Sequence, residues 1–231
     1  MSTTIPHLTL FLASQSPRRA TLLGQAGYRF SVTPSQVEEL EAGHRNIGQV
    51  VMENAKRKGL DAIQRLNGHP PESGKHSVVV SADTLVVMGR KVFGKPSDME
   101  EAFQFLRILG GKEHRVLTGV YLHHLQSGRF TLFSETTRVV LKKLDTREIH
   151  ELFTRVTPLD KAAGYGFQDA PEIVARLEGS RTNVIGLPMT AFSRELQMLV
   201  KLPSATIAEK AENSGSGGRP KTPPTPVSPG T

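Results

Sequence analysis

One stretch constrains the fold more than any other. Residues 77–88 read SVVVSADTLVVM, apolar at odd and even positions alike. A strand apolar on both faces belongs at the centre of a sheet, with a layer packed on each side. Asp83 stands in the middle of it. A carboxylate there is costly unless it is paired, hydrogen-bonded or bound to a metal. The fold must therefore bring a partner to Asp83, either as a structural tie to backbone or an internal base, or as part of a working site.

The remaining pattern supplies layers for such a strand. An apolar run over 8–13 predicts a second buried strand. Ser16 offers an N-cap oxygen and Pro17 suits a first helical position, so a helix is expected over 17–26 with Gly27 as its stop. A strand follows over 28–33. Ile47, Val50, Val51 and Ala55 mark a helix ending near residue 66, and the prolines and glycines of 67–76 read as a loop. Gly89 and Arg90 turn the central strand, expected over 78–87, into a short strand over 91–93. A helix starting at Ser97 or Asp98 carries the stripe Ala102, Phe105, Leu106, Leu109 and ends at Gly110-Gly111. A hairpin is expected from 115–126 and 129–142 about Ser127-Gly128, then a short helix over 146–154. A glycine-containing loop over 164–168, a strand near 173–177 and a last helix over 187–202 complete the series. The order predicts an α/β fold with a mixed sheet and flanking helices, not a strictly doubly wound one. Residues 1–202 form the expected domain. Residues 203–231 turn to Ser, Gly, Pro and Thr and read as a disordered tail.

Composition removes several function classes. The chain has no cysteine, which excludes disulfides, thiolate catalysis and cysteine-held metals. Its histidines lack a two-His spacing on one helix face, so a His-bound zinc is not expected. The longest apolar stretch is too short to span a membrane, and the first residues do not read as a secretory signal. A cytoplasmic protein is expected, with no membrane association. The formal charge of +7 suits an anionic partner. Aromatic residues are only 6 %, and no basic run with interleaved aromatics appears, so no stable nucleic-acid complex is expected. There is neither a G-x-x-x-x-G-K-[ST] loop nor a G-x-S-x-G elbow.

The candidates for chemistry are scattered. Ser16, Arg18 and Arg19 stand where a strand meets a helix N-terminus, a junction whose free N–H groups and dipole favour anions. Arg19 shares the inward face of Leu22 and Leu23, so it either meets phosphate or snorkels out to solvent. Lys58 lies about 20° from Ile47 on an ideal helix, at the centre of the apolar stripe, and likewise either snorkels or meets an anion. Lys95, in Phe93-Gly94-Lys95-Pro96, reads equally as a turn lysine. Lys161 and Gln168 lie in a segment of small residues, where the glutamine could pair with a base edge. Glu38 and Glu39 read as a solvated acidic run or as metal ligands.

In their order these segments resemble the Maf family, the septum-formation-protein homologues. The resemblance is carried by LASQSPRR at 12–19, Lys58, SADTLVV at 81–87, FGKPSDMEEA at 93–102, HRVLTGV at 114–120, PLDKAAGYGFQ at 158–168 and EGSRTNVIGLP at 178–188. It implies two lobes around a central cleft, often a homodimer, and hydrolysis of a nucleoside triphosphate between its α- and β-phosphates with Mg²⁺ or Mn²⁺. By the same resemblance Ser16, Arg18, Arg19, Lys58 and Lys95 would hold phosphates. Glu39 and Asp83 would bind metal or activate water, with Asp83 the base and Lys95 in the catalytic group. Thr84, Lys161 and Gln168 would complete the pocket. Arg18, Lys161 and Gln168 resemble the pyrimidine branch, which implies a dTTP/UTP pyrophosphatase with a house-cleaning role. Thr157, Ala163-Gly164 and Asp169 depart from the family pattern on the base side. A 7-methyl-GTP pyrophosphatase and a non-enzymatic, nucleotide-binding division regulator remain as alternatives.

Overall fold

The computed structural model describes residues 7–43, 45–66 and 76–201. The loop read over 67–76 lies outside these except for His76, and the tail read over 203–231 lies outside them altogether. The strands are β1 (Leu8–Leu12), β2 (Phe30–Val32), β3 (His76–Met88), β4 (Lys91–Phe93), β5 (Glu113–His124), β6 (Phe130–Leu141) and β7 (Val174–Glu178). The helices are α1 (Pro17–Gln25), α2 (Ile47–Leu66), α3 (Met99–Leu109), α4 (Thr146–Arg155), α5 (Arg181–Ile185) and α6 (Met189–Lys201). No helix among the described residues is long and apolar enough to cross a membrane.

The seven strands form one sheet in the order β2-β1-β3-β5-β6-β7, with β4 on β3. β2, β1 and β3 are parallel, and all other pairs are antiparallel. The sheet is mixed, as the element order requires, and β3 is central, as its two apolar faces require. Val78, Val80, Ala82 and Val86 face one way. There they join two apolar clusters, one with Leu10, Leu23 and Phe192, the other with Phe93, Leu106 and Ile149. Val79 and Val87 face the other way, under Ala62 and Val51 of α2. Each such side chain, fully buried, contributes about 1.5–3 kcal/mol.

Two features of β3 place a site in its middle. The first is a gap along one edge. β5 pairs with β3 from Val78 through Val87. On the opposite edge β1 stops at Leu12, opposite Val80, and β4 begins only at Phe93, opposite Val86. Among the described residues no strand covers 81–85 on that side. The second feature is a polar belt within an apolar face. Thr84 lies opposite Thr118 in the register, and their hydroxyls are 3.0 Å apart. Thr118, Thr137 and Asn183 are all fully buried there, hydrogen-bonded to one another and to nearby carbonyls. The two apolar clusters meet across this belt, over a single continuous sheet.

Helix starts follow local chemistry with one exception. Asp98, not Ser97, caps α3 by accepting the Glu101 N–H, and Asp145 with Glu148 forms a reciprocal capping box at α4. Ser16 occupies the N-cap position of α1, but its hydroxyl makes no capping bond. The Ser16 N–H instead donates to the Ser14 hydroxyl, 3.2 Å away. α5 has five residues, too few for a periodic signal in the sequence.

α2 lies unusually close to the sheet because two glycines admit it. A Cβ at Gly119 would collide with the backbone of Val51, and one at Gly59 with the ring of Tyr121. Gly119 is the cross-strand partner of Asp83, so the helix makes its close approach beside the carboxylate. Gly119→Ala is expected to lower stability by about 1–3 kcal/mol, the usual cost of overpacking, read as a lower urea midpoint with an unchanged slope.

Candidate active site

A cleft of about 440 Å³ opens over the uncovered edge of β3. Ten of the side chains singled out in the sequence line it: Ser16, Arg18, Arg19, Glu39 and Lys58, then Asp83, Thr84, Lys95, Lys161 and Gln168. Glu38, the other half of the acidic pair, is exposed and is not part of the lining. Asp83 and Thr84 point to opposite faces of the strand, yet both border the cleft because the edge between them is open.

Arg19 is held from three directions. Its Nε donates to the Gly186 carbonyl at 2.8 Å, Nη1 to the Ser14 hydroxyl at 3.0 Å and Nη2 to the Thr84 hydroxyl at 3.1 Å. Thr84 in turn meets Thr118, whose hydroxyl donates to the Asn183 carbonyl, so the buried belt ends on this guanidinium. An arginine has five N–H donors, and two remain here. Burial pushes its pKa below the ordinary value. Asp83 and Glu39 oppose that push, while neighbouring Arg18 adds to it. Arg19 therefore neither snorkels nor merely covers apolar surface.

Arg18 forms a fork on Asp160, with Nη1 at 2.7 Å from the carboxylate and Nη2 at 3.0 Å from the backbone carbonyl. Asp160 also accepts from Lys161. Burial would raise the Asp160 pKa, but the hydrogen bonds from Lys161 and Arg18 outweigh it and hold the group below its ordinary value. Lys161 is only 6 % exposed; it donates to the Thr157 carbonyl at 2.6 Å and to Asp160 at 2.8 Å, and forms an ion pair with Asp169 at 3.2 Å. It ties the 157–169 loop together. Ala163 and Gly164 are both left-handed in that loop, and the Ala163 N–H reaches the Gly94 carbonyl at 2.8 Å. That bond docks the loop beside Lys95. Lys95 is exposed and makes no hydrogen bond or ion pair among the described residues. Gln168 is exposed at the rim.

The acidic wall is built around Asp83, 3 % exposed. Lys58 Nζ lies 2.7 Å from Asp83 Oδ1 and 2.5 Å from Glu39 Oε1. The lysine in mid-stripe thus meets two carboxylates. Asn54, one turn earlier on α2, donates from Nδ2 to Asp83 Oδ2 at 3.1 Å. Sequence reasoning missed Asn54. The available signal was a polar residue four before Lys58 on the same apolar stripe, a position that must find partners if buried.

A divalent cation can be tested against this donor set. Among the described residues no group of three or more His, Asp or Glu side chains converges as a metal cage. Two carboxylates do converge, on the point now held by the Lys58 ammonium. Mg²⁺ and Mn²⁺ take hard oxygen ligands, and nucleotide sites commonly hold them by one or two carboxylates with substrate phosphates completing the shell. Asp83 and Glu39 fit that pattern, and Lys58 pairs with both.

Comparison with known proteins places these residues in a family context. Residues 9–199 match the family model for Maf-like protein. The dTTP/UTP pyrophosphatase of Geobacillus sp. is 40 % identical over 191 residues, 82 % of this chain and 97 % of that protein. The dTTP/UTP pyrophosphatase of Bdellovibrio bacteriovorus is 35 % identical over 181 residues, 78 % of this chain and 93 % of that one. A human probable bifunctional dTTP/UTP pyrophosphatase/methyltransferase protein is 36 % identical over 202 residues, 84 % of this chain but 32 % of that longer protein.

His114 joins the sheet to the loop that lines the cleft. Its Nε2 is 2.6 Å from the Tyr165 hydroxyl, and burial lowers its pKa from 6.5 to about 4. The imidazole stays neutral in the folded chain until about pH 4, whereas an unfolded chain binds the proton near 6.5. This contribution is complete above about pH 6.5 and is lost as pH falls toward 4, on the order of 3 kcal/mol. His114→Gln keeps an acceptor for Tyr165 and removes the titration. Urea unfolding across that pH range should show a flatter slope in the variant, with a residual slope from His123 and His124, whose pKa values burial also lowers.

Proposed function

The chain belongs to the Maf family, and on that premise we propose that its cleft hydrolyses dTTP and UTP to the monophosphate and pyrophosphate. It is a nucleoside triphosphate pyrophosphatase. One observation carries the reading: two carboxylates, Asp83 and Glu39, converge on Lys58 in a cleft lined by five basic side chains against three acidic ones. That balance favours a polyanion, and the cleft is too local a feature for a nucleic-acid track.

The residues divide the work by what each has free. Arg19 has two N–H donors left, Lys95 has its whole ammonium, and Ser16 has an uncommitted hydroxyl at the start of α1. These groups take the oxygens of the β- and γ-phosphates and hold the chain of phosphates in line. Asp83 accepts a proton from the water whose oxygen bonds to the α-phosphorus. The bond from that phosphorus to the bridging oxygen breaks, and pyrophosphate leaves with its charge met by Arg19 and Lys95. A Mg²⁺ or Mn²⁺ ion held by Asp83 and Glu39 would supply further positive charge at the phosphate oxygens. Lys161 acts by shaping the base-side loop, and Gln168 at the rim has both amide groups free to meet a base edge. The pyrimidine preference is supported by the names of the relatives and by Arg18, Lys161 and Gln168. The reading includes a cytoplasmic enzyme acting on free nucleotides, as a homodimer.

A panel of nucleoside triphosphates with Mg²⁺ or Mn²⁺ tests the reaction, with pyrophosphate and phosphate measured separately. Pyrophosphate with UMP or dTMP is expected, and chelation by EDTA should abolish turnover reversibly. Release of phosphate with a diphosphate would overturn the reaction, and preference for 7-methyl-GTP would overturn the base assignment. Asp83→Asn should lower kcat by about a hundredfold or more while nucleotide still binds. Normal turnover in that variant would remove Asp83 as the base.

A further inference from the structure

We propose that Asn54 is a positioning residue that sets the spacing of the Glu39 and Asp83 carboxylates. Residues 33–41 have no helix or strand of their own, so no ladder fixes Glu39. Side chains of α2 do it instead. Asp61 accepts the Gln36 N–H at 3.0 Å, and Arg65 donates to the Gln36 side chain at 3.0 Å. Asn54 holds Leu40 by both backbone groups: its Oδ1 accepts the Leu40 N–H at 2.7 Å and its Nδ2 donates to the Leu40 carbonyl at 3.1 Å. On an ideal helix Asn54, Lys58, Asp61 and Arg65 fall within about 60° of one another, so one stripe carries the whole segment.

Asn54 differs from the other anchors in one respect. The same Nδ2 that holds Leu40 also donates to Asp83 Oδ2, 3.1 Å away. Both amide N–H groups are therefore committed, one to the residue next to Glu39 and one to the opposing carboxylate. The reversed amide would set its oxygen against a carboxylate oxygen, so the partners leave one orientation. At 2 % exposure the side chain has no water to substitute for them. A single planar group thus ties the backbone next to Glu39 to the Asp83 carboxylate, while Lys58 bridges the two carboxylates directly. Removing Lys58 would take away a charge. Removing Asn54 would take away the distance.

The inference rests on the pyrophosphatase reading, and the test separates the two. Mn²⁺ binding is measured by the loss of the free-ion paramagnetic resonance signal, with the α,β-methylene analogue of UTP present. The unaltered protein, Asn54→Leu and Asp61→Asn are compared, with urea unfolding of each. Asp61→Asn weakens the same segment but touches neither carboxylate, so it controls for loosening alone. Asn54→Leu should weaken Mn²⁺ binding by about tenfold or more, the usual effect of losing a group that orients metal ligands. Nucleotide affinity without metal should change little, and Asp61→Asn should leave the Mn²⁺ titration in place. Equal weakening in both variants, or an unchanged titration in a folded Asn54→Leu, would overturn the positioning role. If Asn54→Leu does not fold, Asn54→Asp replaces it: it keeps the acceptor for Leu40 and loses the donor to Asp83, and an unaltered titration there would overturn the role as well. Absence of Mn²⁺ binding in the unaltered protein would overturn the metal reading itself, and this inference with it.

Discussion

The structure turns on a carboxylate buried in a strand that has apolar layers on both faces. An ion in such a place, left without partners, costs on the order of 3–5 kcal/mol. Asp83 is compensated by Lys58 on one oxygen and Asn54 on the other, both from α2. That requirement sets the position of the helix. α2 must lie close enough to β3 for two side chains one turn apart to reach the same carboxylate, and Gly59 and Gly119 remove the atoms that would hold it off. The close contact and the pairing are one arrangement seen from two sides.

The opposite face solves a related problem with neutral groups. Thr84 and Thr118 interrupt an otherwise apolar surface, and their hydroxyls are satisfied in a chain that runs from Arg19 to the Asn183 carbonyl. A guanidinium needs rigid acceptors if it is to present its remaining donors in a fixed direction. Arg19 has such acceptors on a loop, a strand and the end of α5. The two faces of β3 thus contribute a carboxylate and an anchored cation. They act in one cleft only because β1 and β4 leave the edge between them uncovered.

The 157–169 loop is organised differently, by charges that are already neutralised. Arg18, Lys161, Asp160 and Asp169 form a connected set of ion pairs around Pro158 and Gly166. Gly166 is close-packed here, since a Cβ would press on Asp169 and on the Lys161 stem. Asp169, one of the departures from the family pattern, adds a second ion pair to Lys161. That departure is therefore structural in its first effect.

Much of this was legible in the sequence because it is local. A run apolar on both faces marked β3, period-3.6 stripes marked α2 and α3, Ser127-Gly128 marked the hairpin, and an acid in a doubly apolar strand announced that it must have a partner. The sequence by itself also determined that Lys58 had to snorkel or find an anion, since it stands in the middle of an apolar stripe. Only the tertiary structure decided which. Lys58 meets Glu39 and Asp83, residues 19 and 25 positions away, and Arg19 meets Thr84 and Gly186, 65 and 167 positions away. No periodicity encodes such distances. Asn54 stayed hidden for the same reason: its amide is spent on Leu40, in a segment without regular structure, and on a strand that reaches it only once the helix has docked. The gap along β3 was equally invisible, because it depends on where two other strands stop, and that is set by pairing across the sheet rather than by any residue within it.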